Sequence, residues 1–166
     1  MKPAPRPSLL TPEHIAMVNK GVSTIVASRD AGLRPSLMRA VGSCVSDDGA
    51  RVTVFLARSQ SRQLLQDLAD NSHIAVVFSQ PSTHRTVQVK ASRLALRPAT
   101  EADLPLLQRY LAAMQEEIAL VGHGPRLVQA MLAFRLDDVV AVSFTPDCAF
   151  DQTPGPRAGA QLVATA

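Results

Sequence analysis

A two-residue period broken by tight-turn signals is the feature that most restricts what this chain can fold into. Across residues 36–45, Leu37, Arg39, Val41, Ser43 and Val45 share one face, and Met38, Ala40, Gly42 and Cys44 share the other. Asp47-Asp48-Gly49 follows as a hairpin signal. Residues 51–57 then continue as a strand with Val52, Val54 and Leu56 together. Residues 22–28 are a β-rich run that ends at the turn Asp30-Ala31-Gly32. Residues 74–78 form a short apolar run of the kind that makes a buried strand. Residues 85–96 alternate again, with Val87, Val89 and Ala91 opposite Thr86, Gln88, Lys90 and Ser92, and residues 139–144 read as a last strand.

Four segments carry helical signals instead. Thr11-Pro12-Glu13 combines an N-cap, a proline in the first turn and an acidic residue, with Gly21 at the expected stop. Residues 61–69 place Leu64, Leu65 and Leu68 on one stripe. Residues 101–121 step through Leu104, Leu107, Leu111, Met114 and Ile118 behind the cap Thr100, and a further helix is expected over 125–134. The predicted order is helix, three strands, helix, two strands, two helices, strand. Strands and helices do not alternate regularly, so a doubly wound parallel sheet is excluded. The expected class is α+β, a mostly antiparallel barrel or sheet with helices flanking its openings. Residues 1–10 are expected as a loose Pro-rich arm, 11–150 as a single domain including the helical segment 101–134, and 151–166 as an irregular tail.

Composition narrows the function classes. A chain of 166 residues with 46% hydrophobic and 19% charged residues is globular. Size scaling buries roughly 69% of its surface on folding, enough for one core. The formal charge of +3 is too mild to argue for nucleic acid, and with no Trp and one Tyr base-stacking platforms are scarce. No apolar run is long enough for a membrane helix, and the start of the sequence lacks the apolar core of a secretory signal. Cys44 and Cys148 are expected as reduced thiols in a cytoplasmic protein. Four histidines show no metal-ligand spacing, so no metal site is expected.

Three features between residues 34 and 91 converge on an anionic ligand. Arg39 interrupts an apolar strand face, where a guanidinium is costly unless it meets a partner or solvent. Arg58-Ser59-Gln60-Ser61-Arg62 stands between a strand and a helix, where backbone N–H groups, the hydroxyl of Ser59 or Ser61, and Arg62 can cradle a phosphate. Thr86, Gln88 and Lys90 line a neighbouring strand with groups suited to a planar heterocycle. Each has an ordinary alternative: an edge or interface ion pair for Arg39, a plain N-cap for the serine, and the solvated side of a sheet for the polar strand. His84, beside this region, reads either as a loop histidine or as a proton donor or haem ligand.

Within the same stretch, Pro35-Ser36-Leu37-Met38-Arg39-Ala40-Val41-Gly42, Val52-Thr53-Val54-Phe55-Leu56-Ala57-Arg58-Ser59-Gln60-Ser61-Arg62-Gln63, Leu68-Ala69-Asp70-Asn71-Ser72-His73-Ile74-Ala75-Val76-Val77-Phe78 and Thr86-Val87-Gln88-Val89-Lys90-Ala91 follow one another in order. This series resembles the pyridoxamine 5′-phosphate oxidase-like family, the FMN-binding split β-barrels, over about residues 11–97. The resemblance implies an antiparallel split β-barrel, a homodimer, and FMN held in two clefts between subunits. It implies that Arg39, Ser61 and Arg62 hold the flavin phosphate, that Leu56 and Ala57 lie along the ring through their backbone, and that Thr86 and Gln88 approach from the later strand. Gln63, grouped with the phosphate residues, stands where the family usually has Lys. Thr86 replaces a Gln, Gln88 replaces an Arg, and the segment from Phe150 to Arg157 lacks the vitamin enzyme's terminal Trp and Arg-Leu-Pro motif. The implied function is flavin-mediated hydride or electron transfer with a small molecule, and not vitamin B6 oxidation itself. No Gly-x-Gly-x-x-Gly or P-loop is present, so NAD(P)H would act as a transient substrate. A non-catalytic flavin- or haem-binding or sensor protein on the same barrel is the alternative, and no catalytic acid or base stands out.

Overall fold

The computed structural model describes residues 8–164. Helix α1 (Pro12–Lys20) leads into strands β1 (Ser23–Arg29), β2 (Pro35–Arg39), β3 (Gly42–Val45) and β4 (Val52–Ala57). Helix α2 (Arg62–Asn71) precedes β5 (Ile74–Ser79), β6 (Thr86–Ala91) and β7 (Leu94–Pro98). A 3₁₀ turn (Glu101–Asp103), α3 (Leu104–Leu120) and α4 (Pro125–Met131) follow, then β8 (Val139–Phe144) and β9 (Cys148–Asp151). The strands form two sheets, β2-β1-β5-β6-β9 and β3-β4-β8-β7, with every pairing antiparallel. The α+β class expected from the sequence is the one observed.

The alternating segment 36–45 is two strands in two different sheets, not one. Ala40 N–H still donates to Thr24 O at 2.9 Å, on the first sheet. Val41 N–H donates to Phe55 O at 2.8 Å while Gly42 also pairs with Phe55, on the second sheet. Two residues opposite one form a β-bulge, which bends the strand and shifts its alternation by one. Leu37 and Arg39 therefore lie on the outer face of the first sheet, with Leu37 61% exposed, while Val41 and Val45 are buried. Segment 85–96 divides in the same way at Ser92-Arg93, where the Asp147 carboxylate accepts from both Ser92 N–H and Ser92 Oγ at 2.7 Å.

The ends also differ from expectation. Residues 1–7 of the expected arm lie outside the described residues, and Leu10, assigned to that arm, is buried in the main core. The expected irregular tail begins inside β9, which pairs with β6, and returns along its edge through a Phe150–Gln161 bridge. The long helix starts at Leu104 because Thr100 to Asp103 form a capping box ahead of it. Asp103 is also gripped by Arg97 Nη1 and Nη2 at 2.7 and 2.8 Å, which holds its carboxyl at about 2.

Valines from both sheets, with Phe78 and Phe144, fill the space between them, and α2 adds Leu64 and Leu68. Helix α3 covers part of the outer face of the second sheet, where Leu107 packs with Val41, Phe55 and Ala141. Gly42 permits that approach: a Cβ there would lie 2.6 Å from Leu107 Cδ2. Toward the end of α3, the fully buried Glu117 accepts from Lys20 Nζ (2.9 Å), Gln80 Nε2 (2.9 Å), Ser82 N–H (3.2 Å) and Ser82 Oγ (2.6 Å). Burial alone would push its carboxyl up, but these donors hold it at about 2.

Because that value lies below the ordinary glutamate range, the Glu117 cluster stabilises the fold at neutral pH and loses its contribution as pH falls from about 4.5 toward 2. Glu117→Ala is expected to lower unfolding free energy by about 2–3 kcal/mol at neutral pH. Urea denaturation should show the gap to the wild type narrowing in acid; a gap independent of pH would mean the carboxylate charge is not what holds the loop.

Candidate functional site

Strand register gathers one group of the expected residues. Arg39 pairs with Ile25, Ile25 with Val77, Val77 with Gln88 and Gln88 with Phe150, so these five share a row on the outer face of the first sheet. The next row on that face is Ser23, Ser79 and Thr86. Arg39 Nη1 donates to Ser23 Oγ at 2.7 Å, and the Ser79 and Thr86 hydroxyls lie 2.8 Å apart. Arg39 forms no ion pair among the described residues; its charge is met by a hydroxyl and partial exposure. Lys90 lies one row further along, its Nζ 5.1 Å from the centre of the Phe150 ring.

A second group sits between β4 and α2. The side chains of Leu56 and Ala57 are buried, so only their backbone can face a ligand. Ser59, one of the two serines considered for a phosphate, is already engaged: its N–H donates to Asp138 Oδ1 at 3.1 Å and its hydroxyl donates to Asp138 Oδ2. Ser61 is different. It occupies the N-cap of α2 yet makes no side-chain capping bond, and it is 2% exposed. Its Oγ is the one buried side-chain polar atom without a partner among the described residues. Buried hydroxyls are ordinarily paired, so this one is held at a cost in stability.

Arg62 and Gln63 are exposed at the start of α2. Gln63 Nε2 donates to the buried Asp67 Oδ1 at 2.9 Å, and Asp67 Oδ2 accepts from Ser36 Oγ. Gln63 is thus tied to its own helix, and Arg62 forms no ion pair among the described residues. Arg58 lines a cavity of about 280 Å³ with Leu65, Leu96, Arg97, Pro98 and Val140.

The expected site residues therefore form two half-sites. Ser36, which reaches α2 through Asp67, alternates along β2 with Leu37 and Arg39. The α2 start is thus approached from the side of β2 opposite Arg39. No hydrogen bond or ion pair among the described residues joins Arg39, Thr86 or Gln88 to Ser61, Arg62 or Gln63. Sequence reasoning missed Ser23, Ser79, Asp67 and Asp138, whose roles arise from pairings between distant segments. His84 lies on the exposed β5–β6 turn with φ +60°. Cys44 and Cys148 are both free, and burial pushes the Cys44 thiol up. Among the described residues, no helix is long and apolar enough to cross a membrane.

No family model matches this sequence, and no curated protein matches it. Solved structures do. HupZ of Group A Streptococcus superposes with a TM-score of 0.55 at 15% identity, over 90% of this chain and 99% of that one. A putative pyridoxamine 5′-phosphate oxidase from Lactobacillus delbrueckii gives 0.53 at 13% identity, over 85% and 93%. An F420 reductase gives 0.52 at 15% identity, over 81% and 93%. The chain has the pyridoxamine 5′-phosphate oxidase-like split-barrel fold. Its two sheets, joined through the corners at Val41-Gly42 and Ser92-Arg93, are the two halves of that barrel.

The unpartnered Ser61 hydroxyl has a measurable signature. An ordinary capping serine costs about 1 kcal/mol when changed to alanine. Here Ser61→Ala is expected to leave the unfolding free energy of the ligand-free protein unchanged or slightly raised in chemical denaturation. A loss of a full kcal/mol would show that the hydroxyl has a partner after all.

Proposed function

We propose that this protein is a homodimeric, cytoplasmic FMN-binding oxidoreductase that transfers a hydride or electrons between a small molecule and the flavin. The observation that carries this reading is the buried, unpartnered Ser61 hydroxyl at the start of α2 beside Arg62. A helix N-terminus with a free hydroxyl and an unpaired guanidinium suits a phosphate group. Arg39, Thr86 and Gln88 supply the second half of the site from the outer face of the first sheet, and the backbone of Leu56 and Ala57 borders the first half. The flavin supplies the redox chemistry when bound. The chain's own residues anchor its phosphate and offer polar groups to its ring edge, and NAD(P)H is the candidate donor.

A second copy would make one site of the two halves. The outer face of the first sheet carries Ile25, Ala27, Ala75, Val77 and Phe150, all half-buried, and the exposed Leu37. An apolar sheet face of this kind is a docking surface, and covering it with a partner's equivalent face is consistent with a two-fold homodimer.

The alternative, a non-catalytic flavin- or haem-binding or sensor protein, is favoured by one observation. Gln63 stands where a lysine would add charge to the phosphate site, and it is bound to Asp67 instead.

The visible spectrum of purified protein distinguishes these readings: flavin bands support the first or a flavin carrier, a Soret band the haem variant. NAD(P)H oxidation with added FMN then separates enzyme from carrier. In FMN titrations, Arg39→Ala and Arg62→Ala are each expected to weaken binding by about 1.5–3 kcal/mol, the loss of a charge-assisted hydrogen bond. Affinity unchanged in both would overturn the phosphate assignment. Leu37→Asp is expected to yield a monomer in light scattering that binds FMN poorly; a monomeric wild type at micromolar concentration would remove the dimer.

A further inference from the structure

The outer face of the second sheet carries a cavity of about 450 Å³ at the end away from α2. Its chemistry follows from strand register. Thr53, Ser143 and Ala95 form one row across β4, β8 and β7 on this face. Immediately beyond the ends of these strands come Arg51 before β4, Thr145 after β8 and Arg93 before β7. Both arginines line the cavity, with Ala95, Ser143, Thr145 and Asp147 among its other walls. Two strand spacings separate β4 from β7, roughly 9.5 Å, a span that two long guanidinium side chains can close upon one small anion. Ser143, on the intervening strand β8, lies in the lining between them.

Among the described residues neither the Arg51 nor the Arg93 side chain forms an ion pair or a hydrogen bond. Arg97, on the same face of β7, is instead held by Asp103. The Thr145 hydroxyl is likewise without a partner among the described residues. Asp147 is the one carboxylate in the lining. The two bonds from Ser92 to its Oδ2 hold its carboxyl below the usual range and leave Oδ1 as an acceptor on the wall.

We propose that this cavity is a binding site for a small organic anion bearing a carboxylate or phosphate. Arg51 and Arg93 clamp its oxygens from either side, the Thr145 hydroxyl donates between them, and Asp147 accepts from a donor group elsewhere on the ligand. Arg51 lies just before β4 and Ala57 at its far end, roughly 20 Å apart along the strand. The site is therefore separate from the α2 half-site and independent of the flavin reading.

Calorimetric titration of the full chain at low ionic strength, with citrate in one arm and inorganic pyrophosphate in the other, tests this. Saturable millimolar or tighter binding is expected for at least one, and the arm that binds identifies the chemistry. The double variant R51A/R93A, at exposed positions, is expected to weaken binding at least tenfold while keeping the wild-type circular dichroism spectrum. Thr145→Val should weaken it less, and Arg126→Ala, at an exposed position of α4, should leave it unchanged. Three results would each overturn the proposal: no saturable binding in either arm, wild-type affinity in R51A/R93A, or loss of binding in Arg126→Ala.

Discussion

The architecture depends on one extra residue. Val41 and Gly42 both face Phe55, and this bulge allows a single run of chain to leave the first sheet after Arg39 and enter the second at Gly42. Without it the alternation begun at Leu37 would continue unbroken, and either Leu37 and Arg39 or Ser43 and Val45 would point the wrong way. With it, the guanidinium of Arg39 reaches the outer face of the first sheet, Val41 packs with Leu107 under α3, and Val45 enters the core between the sheets. Gly42 serves the same corner a second way, by letting α3 seat Leu107 against the sheet. The corner at Ser92-Arg93 makes the same transfer, from β6 in the first sheet to β7 in the second, with the Asp147 carboxylate holding the turn.

This is also why the fold was only partly legible from the residues. The alternation at 51–57, the apolar run at 74–78 and the cap-to-glycine frame of α1 are local signals, and they match the observed elements closely. A bulge is not a local signal of that kind. The period on each side of it is intact, so 36–45 reads as one strand until its hydrogen-bond partners are known. Strand β9 was hidden for a different reason: four residues without clear alternation gain their strand character from β6 on one side and the returning tail on the other. Leu10 looked like part of a Pro-rich arm because its burial depends on contacts remote in sequence.

The candidate site shows the same division. Residue types at Arg39, Ser61, Arg62, Thr86 and Gln88 pointed to an anionic ligand, and the fold agrees with the resemblance those residues carry. Their neighbours could not be read, because each is a pairing across the sheets or between distant loops. Asp138 takes Ser59 across 79 positions and so decides which serine remains free. Ser36 and Asp67 take Gln63 and so decide that it faces its own helix.

Ser61 and Arg39 embody opposite solutions to the same problem. A polar group on a packed surface must be paired or remain near solvent. Arg39 finds Ser23 and partial exposure, so it is stable whether or not anything else approaches. Ser61 finds nothing: its ψ of +24°, against +159° at the capping Thr11, keeps its hydroxyl from the N–H groups of the first helical turn. The surrounding structure holds it out of that arrangement. The loop is pinned by Asp138 at Ser59 on one side, and the first turn of α2 is pinned through Gln63, Asp67 and Ser36 on the other. The free hydroxyl is thus a consequence of two rigid anchors, and rigid placement of an unsatisfied donor is what a binding site requires and a structural cap does not.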